Sequence, residues 1–213
     1  MKTRWFGHSC FYLTSKSGTR ILTDPFAESV GYKVPDVEAD IVTVSHNHYD
    51  HNNIQATKGK FEVFNKEGLY EHKDIQIKGT GMFHDDVNGK KRGANIVFKI
   101  KVDGISICHL GDLGHIPDES MVSEIGQVDI LLIPVGGTFT IDSSQAKRVV
   151  ELLKPEVIIP MHYKTPELSF ELATVEEFTK LFDSFRIIKT ENLEIDIEDL
   201  QDYEGNILLM KYK

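Results

Sequence analysis

Within Ser45-His46-Asn47-His48-Tyr49-Asp50-His51, three histidines and an aspartate follow the pattern His-x-His-x-Asp-His. Neutral imidazole and carboxylate are the donors that hold zinc, manganese or ferrous iron. Four donors packed so closely cannot all reach one ion. The spacing therefore predicts a split, with His46 and His48 on one metal and Asp50 and His51 on a second. Two metals need further ligands from elsewhere in the chain. His84 follows Gly79-Thr80-Gly81-Met82-Phe83, Asp112 lies within His109-Leu110-Gly111-Asp112-Leu113-Gly114, and His162 closes Ile158-Ile159-Pro160-Met161.

Coordination lowers the pKa of water from about 15.7 toward 7. A hydroxide bridging two such ions would attack a carbonyl or phosphoryl centre while one metal holds the oxyanion. No side-chain nucleophile is then needed, so Ser9, Cys10 and Ser45 are read as structural. Asp50 could orient the hydroxide while ligating and pass a proton to the leaving group. His115, just after Asp112, is a second candidate proton donor, and His8 is a candidate to face the metals. His72 and His109 carry no motif and are taken as structural.

The elements needed to position these groups are legible as short apolar runs. Asp40-Ile41-Val42-Thr43-Val44 reads as a buried strand, so the histidine loop leaves a strand's C-terminal end, where scaffolds usually present chemistry. His84, Asp112 and His162 likewise each follow a strand-like run, so all can converge on one edge of a sheet sandwich. Further strands are expected at Phe11–Thr14, Arg20–Thr23, Phe61–Phe64, Ile75–Lys78, Asn95–Val102, Ile105–Cys108, Ile130–Ile133, Val157–Pro160 and Arg186–Lys189. Asp103-Gly104 is a strong hairpin turn. Helical spacing is clearest at Ser143–Leu153, with Ala146, Val149, Val150 and Leu153 on one face and Asp142 as cap. A second helix is expected over Thr174–Phe185, with Val175, Phe178, Leu181 and Phe182 inward.

With these residues in place, the whole chain resembles the metallo-β-lactamase fold superfamily. The order is that family's: the His-x-His-x-Asp-His loop, a lone His, an Asp in a Gly-Asp context, then a late His. Trp5-Phe6-Gly7-His8-Ser9-Cys10-Phe11 and Leu22-Thr23-Asp24-Pro25-Phe26 resemble the compact branch that includes the ascorbate-6-phosphate lactonases. The resemblance implies an α/β (α+β) fold: a four-layer αββα sandwich of two mixed β-sheets with outer helices and a dinuclear site at one edge. It places His46, His48 and His84 on the first metal, Asp50, His51 and His162 on the second, and Asp112 across both. It also puts Asp24 beneath the histidine loop, where its carboxylate could accept a ligand histidine's second N–H. Arg92 matches a basic position of the same branch, and with Lys164 could ring the site with positive charge. Asp112 stands where many true β-lactamases have a cysteine, and His48 where the oxygen-reducing diiron members have a glutamate. Both departures disfavour those activities.

The 213 residues suffice for one well-buried domain, expected to span 1–213. The net charge of −9, from 24 basic and 33 acidic residues, argues against nucleic acid, which needs a basic surface. No stretch approaches the roughly 18 apolar residues of a membrane span, and Met1–Gly7 lacks the apolar core of a signal peptide. Cys10 and Cys108 lie in apolar runs and read as buried, reduced thiols, which suggests the cytoplasm. The acidic run Glu194–Asp199 reads as a solvated strand or turn. The expected function is metal-dependent hydrolysis of a small, anionic ester, lactone or phosphoester, with a homo-oligomer left open. Two divalent ions are expected, zinc suiting the histidine-rich set and manganese or iron being acceptable. The alternatives are a diiron oxidoreductase, or a non-enzymatic metal-binding protein of the same fold, which should lack a ligand.

Overall fold

A computed structural model describes residues 1–212 of the chain. Its first half builds one mixed sheet. β1 (Lys2–Gly7), β2 (Cys10–Thr14) and β3 (Arg20–Thr23) are antiparallel neighbours, followed by β4 (Ile41–Thr43) and β5 (Glu62–Phe64) in parallel. A second mixed sheet begins with the antiparallel run β6 (Gly68–His72), β7 (Ile75–Phe83), β8 (Ala94–Val102) and β9 (Ile105–His109). It continues in parallel through β10 (Ile130–Pro134) and β11 (Val157–Met161). The C-terminal strands β12 (Arg186–Thr190) and β14 (Asn206–Met210) complete it, whereas β13 (Leu193–Glu194) returns to pair with β1. Three α-helices are described: α1 (Glu119–Ile125), α2 (Ser143–Leu153) and α3 (Glu176–Thr179).

Sequence pattern explains where each strand sits. β10 (Ile-Leu-Leu-Ile-Pro) and β11 (Val-Ile-Ile-Pro-Met) are buried at every position, as parallel strands covered on both faces must be. In β2, Phe11 and Leu13 enter the large core between the sheets, while Cys10 and Tyr12 enter a smaller cluster. Ile21 and Leu22 of β3, and Ile41 and Val42 of β4, divide the same way. Side chains alternate across a strand, so the smaller cluster is the outer face of the first sheet. Phe26, Val30, Leu168 and Leu172 cover it from loops and a 3-10 turn at Glu28–Val30. Cys10 and Cys108 are separate buried thiols.

Helix α2 has the boundaries expected from its spacing. Asp142 and Gln145 exchange hydrogen bonds in a capping box, and Ala146, Val149, Val150 and Leu153 are buried. The expected helix over 174–185 contracts to the four residues of α3. Beyond it the amides of Leu181, Phe182 and Phe185 bond three residues back, so the chain tightens into 3-10-type turns. Phe178 and Phe182 still reach the core. Strands β1, β6, β13 and β14 and helix α1 were not anticipated.

Strand direction decides where the chemistry goes. β1, β3 and β4 run the same way, because β2 is antiparallel to both β1 and β3 and β4 is parallel to β3. Their C-terminal ends deliver His8, Asp24 and the loop His46–His51. In the other sheet β7, β9, β10 and β11 share one direction, since β8 is antiparallel to both β7 and β9. Their ends deliver His84, Asp112, the Gly136–Phe139 turn and His162. Within each sheet, every candidate ligand thus follows a strand of one direction, and the donors from the two sheets come together.

Candidate metal centre

Two groups of donors meet there. His46, His48 and His84 bring one donor atom each to within 4.8 Å of one another, and Asp50, His51 and His162 do the same together with His8. Between the groups stands Asp112. Its Oδ2 lies 3.3 Å from Nε2 of His51, His84 and His162, and 3.9 Å from Nε2 of His46. One carboxylate oxygen therefore faces imidazoles of both groups.

The protein does not saturate this cluster. Nε2 of His46, His51 and His162 and Oδ1 of Asp112 are buried without a hydrogen-bond partner. Each such atom costs about 1–3 kcal/mol. A convergent set of lone-pair donors is what divalent cations would satisfy, so the residues fit the metals that the sequence implies.

Supporting residues fix how the histidines point. Asp24 is fully buried; its Oδ1 accepts the Ser45 N–H (2.8 Å) and its Oδ2 accepts the Ser45 hydroxyl (2.6 Å). The same Oδ2 faces His51 Nδ1 at 2.8 Å. The Ser45 hydroxyl, its proton committed to Asp24, accepts from His46 Nδ1 at 2.9 Å. One carboxylate thus sets both tautomers, His51 directly and His46 through Ser45, leaving each Nε2 lone pair facing Asp112. Ser45, read as merely structural from sequence, is a positioning residue. Asn95 does similar work: its Oδ1 accepts the Asp112 amide and its Nδ2 donates to the Leu110 carbonyl, both at 2.9 Å. Neither role has a sequence signal, because Asp24, on which Ser45 depends, and Asp112 and Leu110, which Asn95 holds, are distant in the chain from them.

Electrostatics favour ligation. Burial, with His51 nearby, lowers His46 to about 3, and burial with His162 lowers His8 to about 4. His84 is lowered by burial as well, so these imidazoles are neutral at pH 7. Burial would raise Asp112 and Asp50, but neighbouring histidines hold both carboxyls well below the usual range. Burial would lower His51, yet Asp112 and Asp24 outweigh it and raise it well above its ordinary value.

The remaining candidates separate cleanly. His8 Nε2 lies 3.2 Å from Asp50 Oδ2 and its ring packs at a tilt with its centroid 4.2 Å from that of His162, placing it inside the second group. Arg92 lines a cavity of about 570 Å³ together with His46 and His48. Its guanidinium lies over the Phe139 ring at 5.5 Å and donates to the Thr138 carbonyl at 3.2 Å. Two expectations need correcting. Lys164 does not ring the site: its ammonium donates to the carbonyls of Leu168 and Phe170 and to Glu171 Oε1, using all three protons to tie the 168–171 loop. His115 is not poised as a proton donor, because its Nε2 accepts the Phe83 amide and its Nδ1 faces the Ile116 carbonyl. Both of its nitrogens serve the backbone.

Two sheets with a histidine–aspartate cluster at one edge define the architecture of the metal-dependent hydrolases of the metallo-β-lactamase class. The chain belongs to the β-lactamase superfamily, whose domain model matches residues 2–162. It is 31% identical over 215 residues to the UPF0173 metal-dependent hydrolase of Methanosarcina mazei, covering 86% of this chain and 91% of that protein. Among solved structures it resembles a protein from Thermotoga maritima assigned as a Zn-dependent hydrolase of the same superfamily. That likeness has 44% identity and a TM-score of 0.83, over 100% of this chain and 99% of the other. A metallo hydrolase from Ignicoccus hospitalis, at 24% identity and TM-score 0.66 over 86% of this chain and 90% of its own, shares the fold. Among the described residues no helix is long and apolar enough to cross a membrane.

Proposed function

We propose that this metal-dependent hydrolase works through two divalent ions and cleaves a small anionic ester, lactone or phosphoester. The observation that carries the reading is Asp112 Oδ2, set among the Nε2 atoms of His46, His51, His84 and His162 from both ligand groups. His46, His48 and His84 would hold one ion, Asp50, His51 and His162 the other, and Asp112 would serve both. When bound, such ions supply Lewis acidity and lower the pKa of coordinated water toward about 7. Zinc suits the histidine-rich set, and manganese or iron would be accepted by the carboxylates.

The chain's own groups do the rest. Asp50, kept ionised by His8 and His51 against the effect of burial, can take a proton from the attacking water and return it to the leaving group. Asp24 and Ser45 hold the imidazoles in register. Arg92 at the cavity beside His46 and His48 offers the cation that selects an anionic substrate. A free metabolite in the cytoplasm fits this opening better than a polyanion, which the −9 surface repels.

The test is elemental analysis after zinc or manganese reconstitution, followed by chromogenic esters, lactones and phosphodiesters. Two equivalents of metal and turnover abolished by chelation are expected. A fully metallated enzyme that turns over none of these classes would overturn the substrate assignment, and one equivalent would overturn the dinuclear one.

A further inference from the structure

Directly after the ligand His84, the chain winds a nine-residue loop around a single carboxylate. Asp85 is buried, and its Oδ1 accepts the amides of Val87 (2.9 Å) and Gly89 (2.8 Å). Its Oδ2 accepts the amides of Lys91 and Arg92, each at 2.8 Å. The Gly93 carbonyl then accepts the His84 amide at 3.0 Å, closing the loop on the metal ligand itself. The left-handed turn at Asn88 (φ 58°) and Gly89 (φ 77°) bends the chain back over the carboxylate. A β-carbon at position 89 would stand 3.1 Å from both the Gly93 carbonyl oxygen and Phe83 Cδ1.

The last amide held is that of Arg92, whose guanidinium lies against Phe139 and the Thr138 carbonyl beside His46 and His48. A long cationic side chain on an exposed loop would normally sample many rotamers, and binding would have to remove that freedom. Here its backbone is clamped at one end and its head is seated on a ring at the other. Charge-assisted bonds from carboxylate to amide are among the stronger ones available, and Asp85 makes four at once.

We propose that Asp85 is the positioning residue of the substrate-recognition element: by gathering four amides it holds Arg92 pre-organised at the mouth of the metal centre, to receive the anionic oxygens of a phosphate or carboxylate on the substrate. This rests on the anionic-substrate reading above. Pre-organisation raises affinity by removing the cost of ordering, so loss of Asp85 acts on anion binding and leaves the metal ligands in place.

The experiment uses zinc-reconstituted enzyme with inorganic phosphate as probe, its dissociation constant measured by calorimetry, and bis(4-nitrophenyl) phosphate against neutral 4-nitrophenyl acetate for turnover. Asp85→Asn is expected to weaken phosphate about tenfold, equivalent to about 1.4 kcal/mol, and to raise KM for the diester by a similar factor. Zinc stoichiometry and kcat should change less than twofold, and KM for the acetate should move little. Adding Asp85→Asn to Arg92→Ala should cost nothing further. Gly89→Ala, which disturbs the loop while keeping the Asp85 carboxylate, should reproduce the selective loss should Asp85→Asn fold poorly. Amide resonances of Val87, Gly89, Lys91 and Arg92 should shift together in Asp85→Asn, a readout independent of turnover. Phosphate affinity within twofold of the parent in both loop variants, or losses additive with Arg92→Ala, would overturn the proposal. So would zinc loss in step with phosphate loss, which would make Asp85 a support of His84 alone. If neither ester nor diester is turned over while phosphate still follows these expectations, the hydrolytic reading fails and this one stands.

Discussion

Asp24 belongs to neither ligand group, yet it governs two ligands. Partners of metal-bound histidines typically contribute about 10–100-fold to metal affinity. Asp24→Ala is expected to weaken zinc binding by that factor, measured by competition with a chromogenic chelator. Ser45→Ala should cost less, because Ser45 relays only to His46 while Asp24 also holds His51. Equal losses from the two variants would mean that the direct contact to His51 contributes nothing. Asp112 sits at the other extreme. Since its Oδ2 faces histidines of both groups, Asp112→Ala should remove more metal than His46→Ala or His162→Ala, read as equivalents per chain by elemental analysis. The seven proposed ligands could be picked out from sequence because their residue types and spacing are themselves the chemistry. Ser45, Asn95 and Asp85 could not, because serine, asparagine and aspartate in a loop are ordinary turn formers until the fold shows what they touch.

At the scale of elements, the turns that end strands carry the site and its strain. Three of its residues, His8 (φ 51°), Asp24 (φ 39°) and His162 (φ 51°), are in the left-handed region that side chains other than glycine rarely adopt. Such conformations persist only where surrounding contacts impose them, and they concentrate at functional sites. The turn after β9 solves the same problem with glycine. Gly111 has φ 55°, and a β-carbon there would stand 2.4 Å from Asn95 Oδ1 and 2.6 Å from Ser45 Cβ. Gly111→Ala should therefore push apart the supports of both Asp112 and His46. A loss of about 1–3 kcal/mol and a melting temperature lower by about 5 °C are expected, with zinc content falling as well. Calorimetry showing an unchanged melting temperature would mean that the turn relaxes freely. Strand ends and α2 were readable because periodicity and capping are local. The helix expected over 174–185 shortened to Glu176–Thr179, and the chain beyond it wound more tightly through three-residue bonds while Phe178 and Phe182 kept their burial.

For the whole molecule, burying so many imidazoles links stability to pH. His46 at about 3 and His8 at about 4, with His109 also lowered by burial, are weaker bases folded than the usual value of about 6.5. Between about pH 4 and 6.5 the unfolded chain therefore binds more protons, and stability falls as pH falls through that window. His51 opposes this: its raised value contributes stability that is fully present below about 6.5 and lost as pH rises through the folded value. With His84 also lowered, four groups lose stability on acidification, while the His51 contribution is already constant below about 6.5, which leaves a net loss. Metal-free protein should melt about 5 °C or more lower at pH 5 than at pH 7. Zinc should raise the melting temperature at pH 7 and do so less at pH 5, where protons compete for the same lone pairs. Scanning calorimetry at the two pH values, with and without zinc, checks both. Equal melting temperatures of the metal-free protein would show that the folded histidines protonate freely.

Residue types and local spacing sufficed to pick out the candidate ligands, most strands, α2, and the acidic balance of the chain. These are properties of short segments, decided by alternation, capping and donor chemistry. Only the tertiary structure could decide which side of each strand the loops leave from. Strand direction in two separate sheets is set by pairings between residues far apart in the chain. The shared direction of β1, β3 and β4 in one sheet, and of β7, β9 and β11 in the other, sends out from strand ends the eight ionisable groups that meet at the site, His8 and the seven candidate ligands. The same long-range pairing sent Lys164 to a loop and His115 to the backbone, while Arg92 was carried to the mouth of the site on a loop wound about Asp85. A side chain's charge is written in its codon, but its aim depends on contacts that form only when the sheets close on each other.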